Sequence, residues 1–298
     1  MKAKPFLKWA GGKGQLIPAV EAALPGDLAG KESLVYVEPF AGSGAVLFWF
    51  LQKFPNVQHA IINDINTDLA NAYRVVKEHP QLLIETLQVI QDKYYGLKSE
   101  EDRRNFFLEK REIFNSRALS VLDKTALLLF LNRTCFNGLY RVNSQNRFNV
   151  PFGKYSRPKI CDPETILADS NILQKVTILN GDYRKTLEHA SGRAFFYIDP
   201  PYRPISKTAS FNAYAQKVFG DDEQIALKEF CDGLSAKGCR WLLSNSDPKN
   251  ENPKDNFFDD LYKDESVYIK RVKAKRTINA DAAKRGEIRE LLISNYKS

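Results

Sequence analysis

The run "FFYIDPPYRP" (195–204) passes from aromatic and aliphatic residues to a carboxylate, two prolines and a tyrosine. Residues 195–198 have the composition of a buried strand, and Asp199 emerges where that strand stops. Pro200 and Pro201 fix φ and stiffen the turn. Each lacks a backbone N–H but keeps a carbonyl, and an ionised carboxylate also only accepts hydrogen bonds. The turn therefore offers two acceptors and no donor beside the ring of Tyr202. Their complement is an amino group with two hydrogens on a flat conjugated ring, and adenine N6 is such a group. Gripping both hydrogens favours a pyramidal nitrogen and frees its delocalised lone pair, while Tyr202 stacks on the ring. A methyl held in line on a sulfonium then transfers directly, by orientation and by acceptors placed for the transition state. No nucleophilic cysteine is required. The plainer alternative is an ordinary strand-to-loop turn.

A second candidate lies upstream. "SLVYVEPFAGSGAVLF" (33–48) reads as a strand over 34–37, a break at Pro39, a small-residue turn over 41–44 and an apolar helix. "HAIINDINTDL" adds a strand over 60–62 that ends at Asp64, 22 residues after Gly42. This is the outline of a nucleotide-binding half of a doubly wound sheet. Leu47 stands where the third glycine of a dinucleotide fingerprint belongs, which argues against NAD. A carboxylate at that strand end can accept from ribose hydroxyls, and glycines admit a ligand close to the backbone. A ligand with ribose but no pyrophosphate fits, and S-adenosylmethionine is one. The plainer reading is a helix-packing turn followed by a helix-capping aspartate.

The chain that must position these residues has 298 of them, 43% hydrophobic and 12% aromatic, with a net charge of +8. That supports one large domain or two smaller ones and fits a polyanionic partner. No apolar run approaches the about 20 residues of a membrane span, and "MKAKPFLKWAGGKG" has no signal-peptide stretch, so a cytoplasmic protein is expected. Cys135, Cys161, Cys231 and Cys239 form no CxxC pair, and His59, His79 and His189 lie near segment ends, so no metal site is expected. From about residue 66 to 131 the patterning is helical. In "LKSEEDRRNFFLEKREIF", Phe106 and Phe107 stand one heptad before Ile113 and Phe114, with charges for a solvated face. Residues 136–154, rich in Asn, Gly, Arg and aromatics, read as loop and hairpin. Strand signals return in "KVTILNGDY", "AFFYIDPPY" and "CRWLLSNSD". The last stretch, "SVYIKRVKAKRTINADAAKRGEIRELLISNY", reads as two strands around a long basic loop.

Over nearly its whole length the sequence resembles the Dam-type (class alpha, D12) DNA adenine-N6 methyltransferases. "FLKWAGGK" is similar to their N-terminal cofactor motif, "EPFAGSG" to their glycine motif, "NDIN" to their ribose-binding acid, "FNGLYRVNSQNRFNVPFGKY" to their DNA-reading hairpin and "DPPYRPIS" to their catalytic motif; "LLSNSD" and "ELLISNY" resemble their closing strands. The resemblance implies a Rossmann-like α/β methyltransferase sheet over 1–66 and 163–298, with an inserted, mainly helical target-recognition domain over 67–162. It implies S-adenosylmethionine as cofactor, contacted by Trp9, Lys13, Phe40, Gly42, Asp64, Asp182, Tyr183 and Asp199. Asp199, Pro200 and Tyr202 would be catalytic. On composition alone, Trp9 is equally a core aromatic and Lys13 a surface lysine.

The target N6 lies inside a duplex, so the base must flip out. By resemblance Arg141 contacts a guanine, for which its fork is suited, and Leu139 and Pro151 wedge into the base stack. Asn137 and Lys154 contact bases or phosphates. Asn146 takes the turn position, where asparagine tolerates left-handed geometry, followed by Arg147 where the family commonly has an acidic or polar residue. The expected site is GATC, modified by an orphan methylase or one paired in function with a restriction endonuclease. "IKRVKAKR" holds five basic residues, among them Lys270, Lys273 and Arg276, and with "TINADAAKRGE" reads as a phosphate-binding loop; a solvated basic edge strand is the alternative. Cytosine N4 or RNA adenine would satisfy the same chemistry, and a non-catalytic DNA-binding module is the reading from another class. A monomer is expected.

Overall fold

The computed structural model describes residues 2–9, 13–116, 119–203, 219–275 and 287–297. In chain order the helices are α1 (Ile17–Glu21), α2 (Ala45–Lys53), α3 (Thr67–Glu78), α4 (Pro80–Gly96), α5 (Glu100–Asn115), α6 (Val121–Thr134), α7 (Pro163–Leu173), α8 (Asp221–Ala236) and α9 (Phe257–Leu261). The strands are β1 (Leu34–Glu38), β2 (Val57–Asp64), β3 (Val176–Asn180), β4 (Ala194–Ile198), β5 (Arg240–Ser246), β6 (Tyr268–Lys275) and β7 (Glu287–Ser294). They form a seven-stranded, mostly parallel sheet, the α/β architecture that the sequence pattern implies.

The chain packs as two compact units: 1–12, 42–53 and 64–181 form one, and 13–41, 54–63 and 182–298 the other. The second holds the strands in the order β2-β1-β4-β5-β7-β6. β1 runs parallel to β2 and to β4, and β4 parallel to β5; β7 runs antiparallel to β5 and β6. β4 is buried throughout and β1 at every position but Val35, as strands covered on both faces must be. From β1 the chain moves outward to β2 on one side, and β4 leads to β5 on the other. The strand order therefore reverses between β1 and β4, and the carboxyl ends at such a reversal are where open α/β sheets bind ligands. Glu38 and Asp199 stand at those two ends.

The first unit is helical, with α6 at its centre; α6 is buried continuously from Thr125 to Asn132 and packs against α3, α4 and α5. Polar caps start its helices: Asn66 Oδ1 accepts from Leu69 N at 3.0 Å, Ser99 forms a capping box with Asp102, and Ser120 Oγ accepts from Asp123 N at 3.0 Å. Phe107 and Phe114 of α5 are buried, in line with their heptad spacing.

Two local expectations need correction. The segment 136–154 folds back on itself, but through isolated antiparallel bridges, Cys135 to Phe152 and Val142 to Phe148, rather than a continuous ladder. Pro151 cannot donate, and Asn137 and Asn146 take positive φ of 56° and 58°, which breaks strand geometry. The basic stretch Lys270–Lys275 is not loop but part of β6, at the edge of the sheet. Arg276 and the rest of the expected loop to 286 lie outside the described residues.

Gly44 has φ +71°, and a Cβ there would stand 2.5 Å from Tyr73 Oη, the group that donates to Gly42 O at 2.9 Å. Gly44→Ala is expected to cost about 2 kcal/mol from backbone strain and the lost bond, read as a lowered melting temperature.

Candidate active site

In the second unit Asp199, one-fifth exposed at its side chain, meets Lys13 Nζ at 3.1 Å and accepts from Ser244 Oγ at 2.8 Å. The sheet arranges this: Ile198 pairs with Leu243 across β4 and β5, so the next residue on each strand, Asp199 and Ser244, are neighbours. Tyr197 Oη lies 3.4 Å from the same Ser244 Oγ. Lys13 Nζ also sits 4.3 Å from the centre of the Tyr202 ring, in cation–π range. Tyr202 Oη donates to Glu290 Oε2 at 2.6 Å, and Glu290 pairs with Ser246 across β5 and β7. Lys13, Asp199 and Tyr202, proposed from separate motifs, are thus one cluster.

The prolines between them are also held. Pro201 O accepts from Gln224 Nε2 at 3.4 Å, and Gln224 Oε1 accepts from Asn245 Nδ2 at 3.1 Å. Gln224 and Asn245 are fully buried and Pro200 is buried. The Asp199–Tyr202 turn is a braced surface rather than a mobile one.

Three carboxyl groups surround Lys13 chemically. Burial raises the pKa of Asp199, against the pull of Lys13 and Ser244. Burial raises Glu290, with Lys13 and the Tyr202 hydroxyl acting the other way. Glu38, bonded by the Tyr36 hydroxyl, is pushed up to about 8 by burial. Glu38 is therefore largely protonated near neutrality, while at Asp199 the contact with Lys13 opposes the effect of burial. Glu38, Tyr36, Ser244 and Glu290 were not singled out from sequence. Glu38 and Ser244 lie inside quoted motifs, so a signal existed for them; Glu290 had only its place in "ELLISNY".

Phe40 and Tyr183 pack with ring centres 5.0 Å apart, and Phe219 closes on the edge of Phe40 at 6.0 Å. Tyr183 Oη is buried without a hydrogen-bond partner among the described residues. Asp182 is exposed and spent locally: it caps Arg184 N at 2.8 Å.

In the first unit Asp64 accepts from Gly42 N at 3.1 Å and from Asn66 N at 2.8 Å. It is not the helix cap, a role that Asn66 fills. Burial raises the Asp64 pKa, and those two N–H bonds oppose it. Each oxygen retains a second lone pair for a hydroxyl. Gly42, at φ +50°, has open space where a Cβ would lie until Trp9 Cδ1 at 3.5 Å. This cradle is a feature that a nucleoside with a ribose diol fits.

Among the expected base-reading residues, Arg141 is exposed and held by Asn149, Nε to Oδ1 at 2.8 Å and Nη2 to the carbonyl at 3.3 Å. Asn137 and Pro151 are exposed and Leu139 is half-buried. Lys154, exposed, pairs with Glu100 at 3.2 Å. Lys270 and Lys273 are exposed on β6, whereas Arg271 between them turns to Asp247 at 3.1 Å and Asp259 at 2.8 Å.

Comparison with known proteins agrees with this picture. The model of the D12 class N6 adenine-specific DNA methyltransferases matches residues 9–278. The type II methyltransferase M.MjaIII of Methanocaldococcus jannaschii is 44% identical over 99% of this chain and 100% of its own length. The type II methyltransferase M1.LlaDCHI of Lactococcus lactis subsp. cremoris is 36% identical over 98% and 95%. The DNA adenine methylase of Haemophilus influenzae is 34% identical over 98% and 93%.

Replacing Lys13 by methionine removes the charge that opposes burial at Asp199 while keeping an apolar stem. The Asp199 carboxyl is then expected to titrate at higher pH than in the wild type, read by carboxyl ¹³C NMR of the two proteins. An unchanged titration would show that Lys13 does not hold the carboxylate.

Proposed function

The chain belongs to the D12 class of N6 adenine-specific DNA methyltransferases, and from that premise we propose that it methylates a flipped-out adenine within GATC, with Asp199, Pro200 and Tyr202 as its catalytic residues. The observation that carries the assignment is the Asp199 carboxyl: one-fifth exposed at the end of β4 and in contact with Lys13 at 3.1 Å, which favours its charged form against burial.

S-adenosylmethionine, the methyl donor of this family, supplies an electrophilic methyl on sulfur when bound. The residues of the chain do the rest. Asp199 and the Pro200 carbonyl take the two N6 hydrogens; Pro201 O already accepts from Gln224, which leaves Pro200 to face the base. Tyr202, its hydroxyl anchored on Glu290, presents its ring for stacking. By holding both N6 hydrogens, Asp199 and the Pro200 carbonyl would free the N6 lone pair toward the methyl that the bound cofactor would supply. Asp64 and Gly42 hold the ribose, Trp9 walls that turn, and Phe40, Asp182 and Tyr183 receive the adenosyl ring.

Residues 67–162 serve target recognition on this reading, and 1–66 with 163–298 serve catalysis. Arg141 reads a guanine, Leu139 and Pro151 enter the stack, Asn137 and Lys154 contact the DNA, and Lys270, Lys273 and Arg276 bind phosphates. Two of the relatives named above are type II methyltransferases, which favours modification paired with a restriction endonuclease over an orphan role. The family's specificity for adenine in DNA removes the ground for the cytosine and RNA alternatives, and the Lys13–Asp199 contact favours catalysis over a non-catalytic module.

Incubation with tritiated S-adenosylmethionine and duplexes with or without GATC tests this. Label is expected in N6-methyladenine, dependent on GATC, and reduced about 10²–10³-fold in Asp199→Ala, the scale of a lost transition-state contact. Product DNA should resist an endonuclease that cuts only unmethylated GATC. Label independent of GATC would overturn the specificity, and full activity in Asp199→Ala the catalytic assignment.

A further inference from the structure

The hairpin and the glycine turn of the first unit are joined by one aromatic stack. Tyr140 lies on Trp9 with ring centres 4.8 Å apart and planes at 24°. The Cδ1–Nε1 edge of Trp9 lies against the turn, Cδ1 3.5 Å from where a Gly42 Cβ would stand. That turn is itself fixed by Asp64 on Gly42 N and by Tyr73 on Gly42 O. Tyr140 has no slack: it is 4% exposed, its hydroxyl donates to Asp68 Oδ2 at 3.4 Å, and its ring packs on Phe148, from the returning arm of the hairpin, at 5.9 Å. Asp68 is paired with Lys124 at 2.7 Å.

A second connection runs beneath the stack. Asn132 of α6 accepts from Lys8 N at 2.8 Å and donates to Lys8 O and to Gly138 O, each at 2.9 Å. Gly138 must be glycine here: its φ is +64°, and a Cβ would fall 2.3 Å from Lys8 Cδ. The backbone next to Trp9 and the start of the hairpin are thus clamped by one side chain. A displacement of the hairpin on a duplex has to move Tyr140, and with it the indole that walls the turn.

We propose that Tyr140 is a positioning residue that couples the hairpin to the cofactor turn through Trp9, so that duplex DNA and the cofactor each tighten binding of the other. The proposal rests on the methyltransferase reading of both elements. Coupling of this kind is reciprocal, and a typical magnitude is about 5- to 150-fold. Burial of Tyr140 as a plain core residue would change stability without changing the ratio of affinities with and without DNA.

The test uses the intact protein and S-adenosylhomocysteine, which binds without turnover, titrated calorimetrically at one salt concentration with and without a GATC duplex. In the wild type the duplex is expected to tighten binding about 5-fold or more. Tyr140→Leu, which removes the stack, should bring that ratio to within about 2-fold of unity, and Tyr140→Phe, which keeps the ring, should retain it. Should Tyr140→Leu fail to fold, duplex alone added to the wild type should still shift the tryptophan emission, and Trp9→Phe should abolish the shift. No duplex effect on either readout in the wild type, or a full ratio in folded Tyr140→Leu, overturns the proposal. A wild type that binds no S-adenosylhomocysteine at all would instead bring down the functional reading on which it rests.

Discussion

Keeping a carboxylate charged inside a protein is the constraint from which the catalytic unit follows. Burial favours the protonated acid, and a protonated Asp199 would lose one of the two acceptors on which its turn depends. Three acids of this site each have a hydroxyl donor: Tyr36 for Glu38, Ser244 for Asp199 and Tyr202 for Glu290. A neutral donor alone does not overcome desolvation, as Glu38 demonstrates by rising to about 8. What distinguishes Asp199 is the ammonium of Lys13 in contact. Lys13 favours the charged form of Asp199 while its neighbour Glu38 is largely neutral near pH 7, which limits repulsion between them.

The sheet makes this arrangement inexpensive. Parallel strands covered on both faces are apolar along their length, so polar groups collect where the strands stop. Glu38 closes β1 and Asp199 follows β4, and β1 and β4 are paired neighbours. Ser244 and Glu290 come from β5 and β7, aligned by register rather than by loops. Groups held on strands keep their geometry better than groups on loops. Lys13 is the exception, coming from a short helical turn before α1, and it is itself buried.

Legibility from sequence divides along the same line. Asp199, Tyr202, Gly42 and Asp64 were readable because their chemistry is local: a turn without donors, a glycine close approach, an acid at a strand end. The hydroxyls and acids that complete the site were not, since Ser244 meets Asp199 across 45 residues and Glu290 meets Tyr202 across 88. Only strand order and register bring such pairs together, and one sequence does not supply register. The basic stretch of β6 reads as loop because charge hides its alternation: Tyr268 and Lys270 are exposed while Ile269 and Arg271 are half-buried, Arg271 folding back on buried Asp247. The Trp9–Tyr140 stack was invisible for a similar reason, as it joins residues from motifs treated separately.

The hairpin, the reader of the duplex on the proposed function, is shaped by different means. With only isolated bridges and two asparagines at positive φ, it takes its shape from side chains: Asn143 Oδ1 accepts from Gln145 N and Arg147 N, each at 3.0 Å, and Asn115 brackets Phe148. Arg141 shows the consequence. Asn149 engages its Nε and Nη2 along one edge of the guanidinium, while the two terminal nitrogens still present an end-on pair of N–H groups. A guanine gripped end-on through O6 and N7 would need no break in that internal contact. The side chain is thus oriented before it meets a base, and less rotamer entropy is lost on binding. Lys154 is the contrast: its pair with Glu100 joins two exposed side chains, a contact of small net value in water, so it can be exchanged for a phosphate with little loss. On the proposed function, position-specific reading and general adhesion would thus fall to rigid and loose side chains of the same short segment.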